Sequence, residues 1–134
     1  MPTTVAVALK PGLPSATLVN LARSVAAPSA TFTLISLVAA GTGVDERSLM
    51  EAVRRQLDEL ATGLEAAGHT TATHVEFSSM AAGSRVVEIA GGVGADLLVV
   101  GLAKRSRVGK ALLGSDAQVI ILGASCPVLS TRSA

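Results

Sequence analysis

Short apolar runs separated by longer polar or amphipathic stretches repeat along the whole chain. The most apolar of these runs is Leu97–Val100, which has no polar residue. An unbroken run of this length is typical of a strand buried on both faces of a parallel sheet. The other predicted strands are Thr4–Leu9, Thr31–Val38, His69–Phe77 and Cys126–Ser130. His69–Phe77 is the least apolar of the five, so we expect it nearer an edge of the sheet.

The stretches between these runs have helical spacing. In the longest, from Asp45 to Ala67, five apolar residues recur at steps of three or four and form one stripe: Leu49, Val53, Leu57, Leu60 and Leu64. Asp45 is the predicted N-cap, and Gly68 fits the left-handed position after the last turn. An earlier helix is predicted between Pro14 and Pro28, with one apolar face made by Leu18, Leu21, Ala22 and Val25.

Two further helices are predicted in the second half of the chain. Ser78 or Ser79 is expected to cap the first of them, which runs through Ile89 and ends at Gly91 and Gly92. Ser115 is expected to cap the last helix, whose apolar side is made by Val119, Ile120 and Leu122. Strands thus alternate with helices from beginning to end. This alternation predicts an α/β fold with a parallel sheet between two helical layers, in a single domain over residues 1–134.

A basic segment follows the fourth predicted strand. Gly101 ends the apolar run, and the next residues include Lys104, Arg105, Arg107 and Lys110 but no acidic side chain. Gly114 and Ser115 then stand where a helix begins. Backbone N–H groups and the positive end of a helix dipole can bind an anion in such an arrangement. A basic turn that faces only solvent fits the same residues, so both interpretations stay open here.

Composition narrows the range of functions. The 134 residues carry 11 basic and 10 acidic side chains, with two Phe, no Trp and no Tyr. The balanced charge and the lack of aromatic stacking residues predict no binding of nucleic acid. No apolar tract is long enough without interruption to span a membrane, and the first residues lack the pattern of a signal peptide. With a single cysteine, the composition indicates a cytoplasmic protein.

Candidate catalytic and metal-binding residues are few. His69 and His74 are five residues apart on a predicted strand, which places them on opposite faces, so no metal site is predicted. Cys126 is interpreted as a small buried side chain, since no histidine is close to it in sequence. No nucleophile elbow or pair of catalytic carboxylates is present. We therefore predict no enzymatic activity, with slow hydrolysis of ATP left open.

Three segments of the C-terminal third together resemble the universal stress protein family: VVEIAGGVGADLLVVG, LLGS and CPVL. The order of elements agrees over nearly the whole chain. The resemblance implies a five-stranded parallel sheet in the order 3-2-1-4-5, of the adenine-nucleotide α-hydrolase-like, doubly wound type. It also implies a regulatory role in the stress response and a homodimer formed through the last strand. Members of the family bind ATP or other adenine nucleotides such as cyclic AMP.

The implied strand order makes strands one and four neighbours, and ligands of open α/β sheets bind at such a point. The resemblance then implies a site at two loops, Leu9–Leu13, which contains Lys10, and Leu102–Leu113. The backbone of Ala8 and Leu9 and the end of strand two would hold the base. The residues implied for binding are Ala8, Leu9, Lys10, Leu37, Val38, Gly101, Lys104, Arg105, Gly114 and Ser115. Gly101, Gly114 and Ser115 would hold ribose and phosphates, with Lys104 or Arg105 adding positive charge.

The sequence departs from the family pattern at three points. The family motif is G-x-x-G, nine residues, then G-[ST]; here Lys104 replaces the second glycine. Nucleotide binders carry an aspartate at the end of strand one, where this chain has Ala8 and Leu9. Asp116 adds a carboxylate in the first turn of the helix that would receive a phosphate. The retained Gly114 and Ser115 and the basic loop favour a regulator that binds an adenine nucleotide weakly or in an altered mode, which is the function that we predict. The departures favour the alternative of an interaction module that binds no nucleotide and contacts an acidic, unidentified protein partner through its basic loop.

The last predicted strand is expected to form the dimer. Pro127 cannot donate a backbone hydrogen bond and therefore belongs at an edge or at the first residue of a strand. Val128 and Leu129 keep that edge apolar, and an apolar edge is a pairing surface. The predicted interface is Cys126, Pro127, Val128, Leu129 and Ser130. An isologous pair of these edges would bury them.

Overall fold

The computed structural model describes residues 1–9, 15–39, 45–78, 82–102 and 115–132. Five strands alternate with four helices along the chain. The elements are β1 (Thr4–Leu9), α1 (Ser15–Val25), β2 (Thr31–Ala39), α2 (Glu46–Ala66), β3 (Thr70–Ser78), α3 (Ala82–Gly92), β4 (Leu97–Leu102), α4 (Ser115–Gly123) and β5 (Val128–Arg132). All strand pairs are parallel, in the order β3-β2-β1-β4-β5. The predicted α/β fold and its implied strand order are confirmed.

Alternate residues of the central strands pack against two separate helical layers. Val5, Val7 and Leu9 of β1 lie in one core cluster with side chains of α1 and α2. Ala6 of β1 lies in a second cluster with side chains of α3 and α4, and Ala8 packs against it. This alternation follows from the pleat, in which successive side chains point to opposite faces. The continuous apolar character of β1 and β4 is thus explained by burial on both faces.

Helix α2 follows its sequence pattern closely. Asp45 is the N-cap: its side chain accepts hydrogen bonds from the backbone N–H of Arg47 and from the Ser48 hydroxyl. The predicted stripe faces the first cluster, with Val53, Leu57 and Leu64 buried and Leu49 and Leu60 partly buried. Gly68 has a φ of 94°, the left-handed conformation that ends the helix.

Several predicted boundaries differ from the structure: β2 ends at Ala39 and not at Val38, β3 runs over Thr70–Ser78 and not His69–Phe77, and α3 includes Gly91 and Gly92. Strand β4 does not end before Gly101 but continues to Leu102, because Gly101 and Leu102 pair with Thr131 and Arg132 of β5. Helix α3 begins at Ala82, since Ser78, one of its two predicted caps, belongs to β3; Ser79 lies outside the described residues. Strand β5 begins at Val128, two residues later than predicted. Cys126 and Pro127 precede it because proline cannot donate to the ladder, although the Pro127 carbonyl accepts from the Leu98 N–H at 3.0 Å.

The apolar side of α4 was also assigned incorrectly in part. Ile120 is 5% exposed and packs in the second cluster, and Val119 is partly buried, as predicted. Leu122, however, is 85% exposed. Two residues correspond to about 200° around a helix, so Leu122 faces away from the side that Ile120 presents to the core. Ala117, three residues before Ile120, is the other buried residue of this face.

The helices are short or carry many polar residues. Among the described residues, none is both long enough and apolar enough to cross a membrane.

Candidate functional site

The carboxyl ends of β1 and β4 lie side by side. Val7 is paired with Val99 and Ala8 with Val100, so Leu9 and Gly101 follow as neighbours at the same edge of the sheet. From this point the chain winds in opposite directions, from β1 through α1 to β2 and from β4 through α4 to β5. Such a reversal creates a crevice at the carboxyl ends of the strands, where open α/β sheets bind ligands. The predicted meeting of these two strand ends is confirmed.

The residues implied for base binding divide between the two faces of the sheet. Ala8 and Leu37 are partly buried and pack against the α3/α4 cluster. Leu9 and Val38 belong to the α1/α2 cluster and are buried, with Leu9 only 4% exposed. The side chains of Ala8 and Leu37 are therefore the partly accessible ones, whereas Leu9 and Val38 can offer a ligand little more than backbone atoms.

Gly101 leaves limited space on the α1 side of β4. A Cβ atom built there would lie 3.4 Å from Cδ1 of Leu18 in α1, an ordinary van der Waals distance to the end of a flexible side chain. An alanine therefore fits at this position with little adjustment. Glycine is not required here by packing, which makes Gly101→Ala a usable probe of the crevice.

Helices α3 and α4 approach each other closely at their N-terminal ends. Oδ1 of Asp116 accepts a hydrogen bond from the backbone N–H of Gly83 at 3.2 Å. A Cβ atom on Gly83 would lie 2.7 Å from the backbone oxygen of Asp116, which no real side chain tolerates. Sequence reasoning treated Asp116 only as a charge near a phosphate and missed Gly83. The sequence did contain one signal for this contact. Glycine is unfavourable within a helix, so its presence near the predicted start of α3 indicates that another part of the chain packs closely against it.

The start of α1 is fixed by a second contact that the sequence did not predict. Ser15 is 6% exposed, and its hydroxyl accepts a hydrogen bond of 2.8 Å from Nε2 of Gln56 in α2. This bond joins the first residue of α1 to the middle of α2. Since α1 follows the loop that leaves β1, the contact holds one wall of the crevice in place.

The residues at the start of β5 pack against both helical layers. Val128 packs against the α3/α4 cluster and Leu129 against the α1/α2 cluster. Cys126 is partly buried, and burial together with the charge of Asp96 raises the pKa of its thiol. A raised pKa keeps the sulfur protonated and weakly nucleophilic, which suits the predicted packing role.

The two histidines lie on opposite faces of the sheet edge. The ring of His69 makes an edge-to-face contact with Phe32 at 4.8 Å between centroids, and its Nδ1 lies 3.1 Å from the Ala30 carbonyl. His74 belongs to the following stretch of β3, paired with Ile35. Within the ranges that the structure describes, no three His, Cys, Asp or Glu side chains are grouped as a metal site would require.

Four residues implied for binding lie outside the described residues: Lys10, Lys104, Arg105 and Gly114. Ser115 is the first residue of α4. The carboxyl ends of β1, β2 and β4 and the beginnings of α1 and α4 are the parts of the predicted site that the structure positions.

Comparison with known proteins was made for the whole chain. The profile described as the universal stress protein family matches residues 2–132. Among solved structures, a universal stress protein from Archaeoglobus fulgidus has a TM-score of 0.72 and 23% identity, covering 97% of this chain and 98% of that chain. The structure of the universal stress protein from Archaeoglobus fulgidus in complex with dAMP has a TM-score of 0.66 and 20% identity, covering 96% of both chains.

A universal stress protein in complex with cAMP has a TM-score of 0.70 and 24% identity, covering 99% of this chain and 98% of that chain. At these identities the structural likeness establishes the shared fold. No functionally curated protein matches the chain significantly in sequence.

Proposed function

Since the chain belongs to the universal stress protein family, we propose that it is a cytoplasmic regulator of the stress response that binds an adenine nucleotide. The observation that carries this proposal is the adjacency of the β1 and β4 carboxyl ends, given by the pairing of Ala8 with Val100. This is the point of an open α/β sheet at which ligands bind. Two proteins of the same fold are in complex with dAMP and cAMP.

The proposed ligand lies across the ends of β1, β2 and β4. Ala8 and Leu37 are partly exposed apolar side chains on the α3/α4 face of the sheet. Apolar side chains of this kind line the binding sites of flat, largely apolar ligands such as an adenine ring. Backbone atoms of Leu9 and Val38 complete the base site. Ribose and phosphate bind at Gly101, Gly114 and Ser115, and Lys10, Lys104 and Arg105 supply positive charge.

The test is thermal unfolding in the presence of ATP, ADP, AMP and cyclic AMP. A ligand at about a hundred times its dissociation constant stabilises the native state by about 2.7 kcal/mol. Gly101→Ala should reduce this shift, because the added Cβ lies next to the backbone proposed to hold ribose and phosphate, and the 3.4 Å distance to Cδ1 of Leu18 lets the fold tolerate it. Gly63→Ala, in open space on α2, is the matched control and should keep the shift. No change in melting temperature with any nucleotide at millimolar concentration would refute the proposal.

A second candidate function is a dimeric interaction module that binds no nucleotide. It is favoured by the end of β1, where Ala8 and the buried Leu9 are the candidate positions for the aspartate of the family's nucleotide binders and neither is acidic. In this case the basic residues after β4 contact an acidic protein surface. Nucleotide-independent capture of an acidic partner, lost when Lys104 and Arg105 are both replaced by Gln, would support this function over the first.

For either function we propose a homodimer formed by the edge strand β5. Leu98 pairs with Val128, and its N–H bonds to the Pro127 carbonyl, so the backbone groups of Val128 and Ser130 point away from β4. Those groups are available to a second copy related by a twofold axis. Ser130→Pro removes one outward N–H without touching the β4–β5 ladder. Light scattering should give a dimer for the native chain and a monomer for this variant; a native monomer at micromolar concentration would refute the interface.

A further inference from the structure

The contact between α3 and α4 places one negative charge at the start of two helices. Gly83 is the second residue of α3, so its N–H has no acceptor within its own helix. The Asp116 carboxylate of α4 accepts that hydrogen bond at 3.2 Å. Asp116 is itself in the first turn of α4. A single carboxylate therefore lies close to the positive ends of both helix dipoles.

The charge of Asp116 weakens the attraction of anionic ligands to the carboxyl ends of the strands. The first turn of α3 holds no acidic residue, and Asp116 is the acidic residue in the first turn of α4. The favourable field that two helix N-termini would offer an anion is already opposed by the protein's own carboxylate. The repulsion between this carboxylate and a ligand grows with each negative charge on the ligand. A singly charged ligand is disfavoured least.

From this we infer that Asp116 is a specificity-determining residue: its charge disfavours adenine ligands with several negative charges, such as triphosphates, relative to a ligand with a single one, such as a cyclic monophosphate. The inference rests on the proposed nucleotide-binding function. Asp116 acts through its charge while it is held by the Gly83 N–H, so it does not need to touch the ligand. The close approach at Gly83, which leaves no room for a Cβ, keeps the carboxylate at this place.

Isothermal titration calorimetry of cyclic AMP and ATP, without divalent cations and at low ionic strength, tests the inference. The ratio of the two dissociation constants in the native protein is the reference value. Asp116→Asn keeps an oxygen that can accept from the Gly83 N–H but removes the charge, and should shift the affinity ratio toward ATP about tenfold. Asp58→Asn, an equal charge change on the exposed side of α2 across the sheet, should leave the ratio unchanged. Added salt should reduce the effect of Asp116→Asn.

The outcomes separate this inference from the function on which it rests. If both ligands bind and Asp116→Asn leaves their ratio unchanged, or Asp58→Asn shifts it equally, the specificity role is overturned and nucleotide binding stands. If neither ligand binds the native protein or any variant, both proposals fall. Asp116→Ser provides a second neutral variant should Asp116→Asn lower the melting temperature, and Asp116→Glu should retain the native ratio.

Discussion

Replacing Gly83 by alanine should destabilise this protein, although glycine to alanine in a helix is ordinarily stabilising. The added Cβ would lie 2.7 Å from the backbone oxygen of Asp116 and 3.1 Å from Cβ of Val119. The first of these atoms is backbone and cannot rotate away. Helix α4 would have to move relative to α3, which also lengthens the Gly83 N–H bond to Asp116.

The magnitude follows from two opposing contributions. Alanine in a helix interior is favoured over glycine by about 0.5–1 kcal/mol. Inserting a methyl group into a contact that has no space for it costs roughly 1–3 kcal/mol. We therefore expect a net loss of about 1–2 kcal/mol, or a melting temperature lower by roughly 3–8 °C. Gly63→Ala is the control, since nothing lies within 4 Å of a Cβ built on that residue of α2. It should raise stability by about 0.5–1 kcal/mol.

Urea unfolding monitored by far-ultraviolet circular dichroism measures both changes from the transition midpoints. The two alanine variants carry the same chemical change in a helix, so propensity alone predicts shifts of the same sign. Because α3 and α4 approach closely at Gly83, we expect Gly83→Ala to lower the urea midpoint and Gly63→Ala to raise it. If Gly83→Ala were as stable as Gly63→Ala, the distance between these helices would have to be larger than described, and the reasoning would be refuted.

Three further predictions concern other parts of the fold. Asp96 accepts hydrogen bonds from Thr3 and Thr4, which lower the pKa of its carboxyl; its stabilisation is therefore present above the unfolded pKa and lost as pH falls through the folded pKa. Asp96→Asn should cost less than about 1 kcal/mol at pH 7 because the side chain is exposed, and an undiminished cost at pH 2 in urea unfolding would contradict this. Ser29 has a φ of 61°, so Ser29→Gly should raise the free energy of unfolding by about 0.5–1 kcal/mol, measured as a higher urea midpoint; a lower midpoint would refute the left-handed assignment. Leu122→Gln should leave the melting temperature unchanged, whereas Ile120→Gln should lower it by at least about 10 °C. Equal effects of the two substitutions would show that Leu122 is buried.

The sequence was sufficient for the order and type of the elements because short apolar runs alternate with longer stretches, most of which have a helical apolar stripe. In α2, five spaced apolar residues, Asp45 and Gly68 all indicated the same helix, and the structure confirms it. The strand order itself came from the resemblance, since nothing in the periodicity of β1 distinguishes β2 from β4 as its neighbour.

Errors arose where tertiary contacts outweigh local signals. Gly101 looked like the end of a strand but pairs with Thr131, a residue thirty positions later. Helix α4 is apolar on most sides, so its pattern could not identify the buried face, and Leu122 was misplaced. The Gly83–Asp116 and Ser15–Gln56 contacts join different helices and have no signature in either segment alone. The adjacency of β1 and β4 was predicted correctly, whereas the binding roles of the site residues remain predictions.

The orientation of Leu9 decides at which position an acidic ligand-binding group could be engineered at the end of β1. A carboxylate at position 9 would enter the cluster that Val5, Val7 and Leu18 build, and an unpaired buried charge would unfold the chain before it could bind anything. Position 8 points to the other helical layer and is partly exposed, so Ala8→Asp introduces the same chemistry at small cost. An added carboxylate is therefore compatible with the fold at position 8 but not at position 9.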